Sequence, residues 1–264
     1  MRFAVSALIA IACAVAPGCV DVAARQQLND GYTALEGGQY DTAYADATAY
    51  LAKNPSGVGS AEAYYLEGRV YEQRAQDMRY SPSPAQMHAN LTAARDAYGR
   101  ALALKPTPKV QSLLHSQIAN IAYYEEDYET ASREWQTAYQ NAEPDTVKAP
   151  ILYRIGLCQQ RLGRFAEADR SFTLIRQQFP DTEAAGKAAA HLGARAFYVQ
   201  VGVFADAANA EKAAGALRQQ GFPTSRAVDA GRQIVRVGPL TTYTDARGMK
   251  SRLAGLYPGA IIQP

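Results

Sequence analysis

Three patterns of apolar and polar residues follow one another along the chain. Phe3–Val15 is an uninterrupted run of apolar and small residues. From about residue 25 to residue 195, the apolar residues recur at the spacing of amphipathic helices. At Phe197 the pattern changes to strict alternation, as in Phe197-Tyr-Val-Gln-Val201, which is typical of a half-buried strand. The patterns predict an apolar leader, a helical region and a small domain that contains a sheet.

One unit recurs within the helical region. It consists of a bulky residue followed three positions later by alanine, and a proline closes each copy. The bulky residues Leu91, Tyr128 and Phe165 are spaced 37 residues apart. The four copies begin at Tyr40-Asp-Thr-Ala43, Leu91-Thr-Ala-Ala94, Tyr128-Glu-Thr-Ala131 and Phe165-Ala-Glu-Ala168, and they close at Pro55, Pro106, Pro144 and Pro180.

Small residues stand at a common offset before these units, as at Gly31, Ala119 and Gly156. A small residue lets two helices approach closely, and proline ends the second helix of a unit. The pattern resembles the tetratricopeptide repeat (TPR), a helix–turn–helix unit of about 34 residues. The resemblance implies a TPR-like solenoid over residues 25–195. Its bulky anchors would form the core, and its groove would hold a protein partner of the cell envelope or of cell division.

The second unit departs from this spacing. From Gly68 to Ala94 there are 26 residues where the other units have 12. The extra residues fall in Gln76–Asn90 and include two prolines, so we predict a protruding loop there. At the end of the array, Thr182–Arg195 is expected to form the polar cap helix that a repeat stack requires.

The last 69 residues, 196–264, contain two copies of one α/β pattern. Val199-Gln-Val-Gly202 and Val235-Arg-Val-Gly238 are offset by 36 residues, as are Leu217 and Leu253. Asp206 is placed to cap the first helix, and Leu256 would extend the second. Such a βαββαβ chain predicts an α+β domain with a four-stranded antiparallel sheet and two helices on one face.

Within this sheet the odd-numbered valines should face the helices, and the first and third strands should lie side by side at the centre. The opposite, open face would then carry Tyr198, Gln200, Ile234 and Arg236, with Gln200 and Arg236 adjacent. Because the helical and α/β parts each have their own apolar pattern, we expect them to fold as independent units joined near Arg195.

Three motifs of this domain resemble the SPOR (sporulation-related repeat) family along its whole length: Phe197-Tyr-Val-Gln-Val-Gly-Val-Phe204, Ala208-Asn-Ala-Glu211 and Val235-Arg-Val-Gly-Pro239. SPOR domains bind peptidoglycan and prefer glycan strands stripped of stem peptides. The resemblance implies that the open face, including Tyr198, binds glycan. Several relatives carry serine at the position of Val203, so one hydroxyl contact would be missing here. The family's groove positions are Gln200, Val203, Arg232, Ile234 and Arg236.

The leader predicts export. Arg2 precedes the apolar run, which is too short to span a bilayer comfortably, so residues 1–18 are predicted to be a signal peptide. Ala16-Pro-Gly-Cys19 resembles a lipobox, in which Cys19 becomes acylated and N-terminal. The position after Cys19 carries Val20 and not the aspartate that is typical of inner-membrane retention, so the periplasmic face of the outer membrane is favoured. Cleavage after Ala24 is the alternative and would release a soluble periplasmic protein.

Composition and candidate chemistry favour a binding protein. The three histidines are scattered over the helical region, and the sequence contains no metal-ligand spacing, phosphate loop or nucleophile elbow. We therefore predict no catalytic residues, no metal and no cofactor. Cys158 is expected to be a small packing residue. Residues 196–264 hold eight Lys or Arg and four Asp or Glu, well short of the clustered basic face of a nucleic-acid-binding protein, so we predict no nucleic-acid partner.

The sequence thus predicts a non-catalytic, peptidoglycan-binding envelope protein in which the TPR-like array scaffolds other proteins, with cell division or envelope maintenance as the setting. One alternative stays open. In it, the chain is a TPR adaptor lipoprotein of outer-membrane or envelope assembly, and the C-terminal domain serves only to localise it.

Overall fold

The computed structural model of the protein describes residues 22–57 and 59–264. The predicted signal peptide and its Cys19 lie outside these residues. The helices of this part that precede the sheet are α1 Val22–Glu36, α2 Tyr40–Lys53, α3 Ser60–Gln76, α4 Pro84–Ala103, α5 Pro108–Tyr124, α6 Tyr128–Gln140, α7 Asp145–Arg161, α8 Phe165–Gln178 and α9 Glu183–Ala189. Across the described ranges, no helix has both the length and the apolar character needed to cross a membrane.

The helices form successive pairs, α1 with α2, α3 with α4, α5 with α6 and α7 with α8, and neighbouring pairs pack on one another. Glycines bring the two helices of a pair together, as the small-residue pattern predicts. A Cβ at Gly68 would lie 2.3 Å from the ring of Tyr98, and one at Gly156 would lie 2.6 Å from Phe172. Each aromatic ring therefore fits into the gap left by a missing side chain. This layout is the predicted TPR-like, all-α array.

The bulky anchors of the repeat lie in the core. Leu91, Tyr128 and Phe165 are all buried, and so is Trp135 beside them in the third unit. Leu91, Tyr128 and Trp135 pack within the array, as predicted, whereas Phe165 is buried against Phe197. Cys158 is also fully buried, and burial raises the pKa of its thiol to about 12 against the opposing effect of Arg161 and Arg154. A thiol in that state is a poor nucleophile, as expected for a packing residue.

The prediction of a protruding loop at Gln76–Asn90 is wrong. Only seven residues separate α3 from α4, and Pro84 begins α4 because the first helical position needs no backbone N–H. The insertion therefore mostly lengthens α4, which has 20 residues. Tyr80 holds the short turn down: its ring packs on Tyr40 at 5.6 Å, and its hydroxyl donates to Asp41 at 3.1 Å.

The predicted cap helix at Thr182–Arg195 is also shorter than expected. Thr182 caps α9 by accepting from the Ala185 N–H, but α9 ends at Ala189. Gly193 then takes a left-handed backbone (φ 79°), and Arg195 pairs with Asp169 of α8 at 2.6 Å. Seven helical residues cover only part of the last repeat.

Residues 197–263 form the predicted α+β domain. Its elements are β1 Phe197–Phe204, α10 Ala207–Gln219, β2 Thr224–Asp229, β3 Arg232–Leu240, α11 Tyr243–Leu253 and β4 Ile261–Gln263. The four strands are antiparallel in the order β2-β3-β1-β4, so the first and third strands are central, as predicted. Asp206 caps α10 by accepting from the Asn209 N–H.

The core of this domain lies between the sheet and its two helices. Val199, Val235 and Val237 point into it with Leu217 and Leu253, and all five are fully buried. Leu256 departs from the prediction: α11 ends at Leu253, and the Leu256 side chain is exposed. Because both helices lie on one side, the other face of the sheet remains uncovered.

Candidate functional site

Strand register brings the predicted site residues together on the open face. Gln200 of β1 lies opposite Arg236 of β3, as predicted, and Arg236 lies opposite Ser225 of β2. On the other side, Gln200 pairs with Ile261 of β4. Directly paired residues point to the same face of a sheet. One row of side chains, Ser225, Arg236, Gln200 and Ile261, therefore crosses all four strands.

An irregularity in β1 decides which way Val203 points. Gln200 pairs with Arg236, but Gly202 pairs with Val235, so one residue is inserted between them. Such a bulge reverses the alternation beyond it. Val203 therefore lies opposite Ile234 on the open face and is 43% exposed, whereas Phe204 packs toward the helices. The rule that odd-numbered valines face the helices holds for Val199 and fails for Val203.

Arg236 is held flat against the sheet. Its guanidinium carbon lies 3.8 Å from the centre of the Tyr198 ring, and its Nε donates to Ser225 Oγ at 3.3 Å. In the described part of the chain, no carboxylate pairs with Arg236. The stack fixes the plane of the guanidinium, and its remaining N–H groups stay available for a ligand that accepts hydrogen bonds.

Gln200 and its neighbours supply the rest of the surface. Gln200 is half-buried, and its amide can both donate and accept. Ile261 beside it is 46% exposed and offers an apolar patch. Sequence reasoning missed Ile261 and Ser225, because a residue's face on β2 or β4 depends on the register of strands that pair far apart in the sequence. A polar group and an apolar patch in one row suit a sugar, which has both kinds of surface.

Arg232 lies at the far end of this face. It begins β3 directly after a turn in which Ala230 and Gly231 both have left-handed backbones, with φ of 47° and 77°. Arg232 lies four positions before Arg236 in β3, a distance of about 13 Å along the strand. Arg232 lies opposite Asp229 in the register of β2 and β3, and it is exposed. The structure thus brings five of the predicted residues close together and leaves Arg232 at the rim.

The three histidines lie apart on the array, where His115 Nδ1 is 2.8 Å from Glu134 and His191 is half-buried against Tyr153. Over residues 22–57 and 59–264, no group of three or more His, Cys, Asp or Glu side chains could hold a metal ion.

Comparison with known proteins assigns the domain that carries this face to a family. Residues 193–264 match the family model described as the SPOR domain. No curated protein matches the chain. SPOR domains bind peptidoglycan, are not catalytic, and occur in periplasmic or envelope proteins. The sheet order, the helices on one face and the family match agree, and the chain therefore carries a C-terminal SPOR domain, a peptidoglycan-binding module, behind a TPR-like helical array.

Proposed function

We propose that this chain is a non-catalytic envelope protein whose SPOR domain binds denuded glycan strands through its open face. The observation that carries the proposal is the row in which Arg236, stacked on Tyr198 and lacking a carboxylate partner in the described residues, stands beside Gln200. Val203, Ile234 and Arg232 would extend the same surface toward the β2–β3 turn.

The chemistry of this face suits a bare glycan. Muramic-acid units carry a lactyl carboxylate, which a fixed guanidinium recognises well. Hydroxyl and N-acetyl groups need partners that donate and accept, as the Gln200 amide does. Flat apolar surface from Tyr198 and Ile261 would cover the sugar rings. A stem peptide on the lactyl group removes the free carboxylate, so the same face would prefer denuded strands.

The test is co-sedimentation of the full chain with peptidoglycan sacculi, either untreated or treated with an amidase that removes stem peptides. We expect stronger pelleting with the treated sacculi. Gln200→Ala and Arg236→Ala should each weaken binding by about 1–3 kcal/mol, the usual loss for a hydrogen bond to a polar or charged group. Their free energies of unfolding should fall by about 1 kcal/mol or less, because both side chains are half-buried on the open face and Arg236 loses one cation–π contact.

Matched controls come from the helix face of the same domain. Gln219→Ala on α10 and Arg252→Ala on α11 remove the same side-chain types at exposed positions. Both should bind like the wild type. The proposal fails if Gln200→Ala and Arg236→Ala bind as tightly as these controls.

The helical array would scaffold a protein of the envelope or of cell division through its groove. The alternative, an adaptor for outer-membrane or envelope assembly in which the SPOR domain only localises the chain, predicts a different defect. If it is right, Arg236→Ala should disperse a fluorescent fusion in the cell, and replacing the SPOR domain by another septal targeting module should restore function. Septal enrichment that is lost with Arg236→Ala would support a role in division.

We also propose that lipid on Cys19 anchors the chain to the periplasmic face of the outer membrane. It rests on the lipobox-like Ala16-Pro-Gly-Cys19. Cys19→Ser should move the protein from the detergent phase to the soluble periplasmic fraction. Unchanged partitioning, with no acylated N-terminal peptide by mass spectrometry, would refute lipidation of Cys19. Wild-type protein that is already in the soluble periplasmic fraction would favour cleavage after Ala24.

A further inference from the structure

The SPOR domain and the helical array share one aromatic cluster. Phe165 at the start of α8 packs on Phe197 at the start of β1, with ring centres 5.5 Å apart. Phe197 in turn meets Tyr243 of α11 edge-on at 5.7 Å, and Tyr243 meets Tyr128 of α6 at 6.2 Å. Phe165 and Phe197 are buried in this contact. Two side chains from each part therefore build one small core.

Arg161, the last residue of α7, joins the parts more tightly. Its guanidinium carbon lies 3.6 Å from the centre of the Tyr243 ring. On the array side, its Nε donates to Tyr123 Oη at 2.6 Å and its Nη1 donates to Tyr128 Oη at 3.3 Å. A cation in contact with three tyrosines has its positive charge stabilised from several sides. One of the three tyrosines that contact the Arg161 guanidinium is therefore supplied by the SPOR domain.

Backbone contact and an ion pair surround this cluster. Gly163 has a left-handed backbone (φ 78°), and a Cβ there would lie 2.9 Å from the carbonyl oxygen of Thr241. The loop after α7 therefore approaches the SPOR domain more closely than a side chain allows. At the edge, Arg247 of α11 pairs with Glu126 of the α5–α6 turn. The contact spans the last two repeats of the array.

These contacts all lie away from the open face. Tyr243, Ala246 and Arg247 belong to α11, which covers the opposite side of the sheet, and Phe197 points to that side. Meanwhile α9 is too short to cover the last repeat, which leaves the surface around Phe165 and Arg161 to the SPOR domain. A repeat array needs a cap at its end, because its last unit has no following unit to pack on.

We propose that the SPOR domain is the C-terminal cap of the helical array, and that the Arg161–Tyr243 contact holds it in one orientation with the open face pointing away from the array. The two parts then keep one fixed mutual orientation and do not behave as two domains on a tether. A ligand on the open face and a partner on the array would be held at a defined mutual orientation, which a flexible join would not provide.

Hydrogen–deuterium exchange of the full chain tests this proposal, because it measures the array and the SPOR domain separately. Tyr243→Ala removes the shared ring. We expect amides of the array around Phe165 and in the join at residues 190–196 to exchange about tenfold faster, as the loss of aromatic and cation–π contacts implies. Pelleting with amidase-treated sacculi should stay as in the wild type, so failure of this proposal is distinct from failure of glycan binding.

Tyr257→Ala is the matched control, because among the residues that the structure describes Tyr257 packs against the SPOR core. It should accelerate exchange in residues 197–264 and leave the array unchanged. If Tyr243→Ala unfolds the SPOR domain, the milder pair Arg247→Ala and Lys250→Ala decides. Both residues are exposed on α11. Of the two, Arg247 forms an ion pair with Glu126 of the array, and the structure gives none for Lys250 among the described residues. Faster array exchange in Arg247→Ala alone supports the cap. Array exchange equal to wild type in both Tyr243→Ala and Arg247→Ala overturns it.

Discussion

Each part of the molecule holds an arginine against tyrosine rings, and the two arginines differ in what else they contact. In the array, Arg74 lies within 6 Å of the rings of Tyr44, Tyr71 and Tyr80 and pairs with Asp41 at 2.6 Å. Its side chain is 15% exposed. In the SPOR domain, Arg236 stacks on one ring and donates to a serine hydroxyl. The same pairing of residue types thus occurs with and without a carboxylate.

An arginine with a structural role differs from one that binds a ligand in whether a carboxylate neutralises its guanidinium. A guanidinium that is surrounded by rings and neutralised by a carboxylate has little left to offer a ligand. One that is fixed in plane but not neutralised can still bind an anion or a hydrogen-bond acceptor. Arg74 fastens the inserted turn to the array, and we expect Arg236 to contact the glycan. The difference follows from the fold: the array buries polar side chains between units, whereas the sheet leaves one face uncovered.

The largest expected effect concerns the core of the array. Trp135 is 1% exposed and packs on Tyr123 at 5.5 Å. Trp135→Ala should lower the free energy of unfolding by about 3–5 kcal/mol, as large-to-small changes of buried aromatics do. Denaturant titration of the full chain measures this loss. Tyr124→Ala, which removes an exposed ring of the neighbouring helix, should change stability by less than about 0.5 kcal/mol. Equal losses in the two variants would contradict the packing described here.

Separate alanine substitutions of Arg74 and Arg236 test whether the first is structural and the second binds glycan. Arg74→Ala should lower the free energy of unfolding by about 1–3 kcal/mol, because it removes a charged hydrogen bond and several ring contacts. It should leave pelleting with denuded sacculi unchanged. Arg236→Ala should weaken pelleting with denuded sacculi and lower the free energy of unfolding much less. If Arg74→Ala weakens pelleting while the protein remains folded, the array takes part in glycan binding and the distinction is wrong.

The smallest expected effect is a pH dependence from His191. Burial, with a contribution from Arg161, lowers its pKa below the ordinary value of 6.5. The unfolded chain therefore binds a proton more readily than the folded one as the pH falls. The contribution of His191 to stability is present above pH 6.5 and is lost as the pH falls through its folded-state pKa.

Denaturant midpoints at pH 7 and pH 5 measure this effect. The free energy of unfolding of the wild type should fall between pH 7 and pH 5. The part of this fall that is due to His191 should stay below about 1.4 kcal/mol per pH unit. In His191→Gln, which keeps a side chain able to bond Gln160, the loss between pH 7 and pH 5 should be smaller. An identical loss in the two proteins would show that His191 does not respond to pH as described.

Local patterns were sufficient for much of the fold. Glycine and alanine at fixed offsets predicted the close helix pairs, since only a small residue at Gly68 or Gly156 makes room for the facing ring. Alternation from Phe197 predicted the strands, and the 36-residue offset predicted central strands β1 and β3. These features depend on nearby residues or on internal symmetry, and both are visible in one dimension. The pairing of Gln200 with Arg236 followed from the same symmetry.

Other features depend on contacts that no local pattern encodes. The bulge between Gln200 and Gly202 places Val203 on the open face, and strand register adds Ser225 and Ile261 to the row. Pro84 could equally have ended a loop or begun a helix, and packing of the lengthened α4 decided for the helix. Patterns along the chain were enough to predict the two architectures and the chemistry available to each. The set of side chains that share a face, and the contact of Arg161 with Tyr243, depend on tertiary packing, because residues far apart in the chain come together only when the whole core is packed.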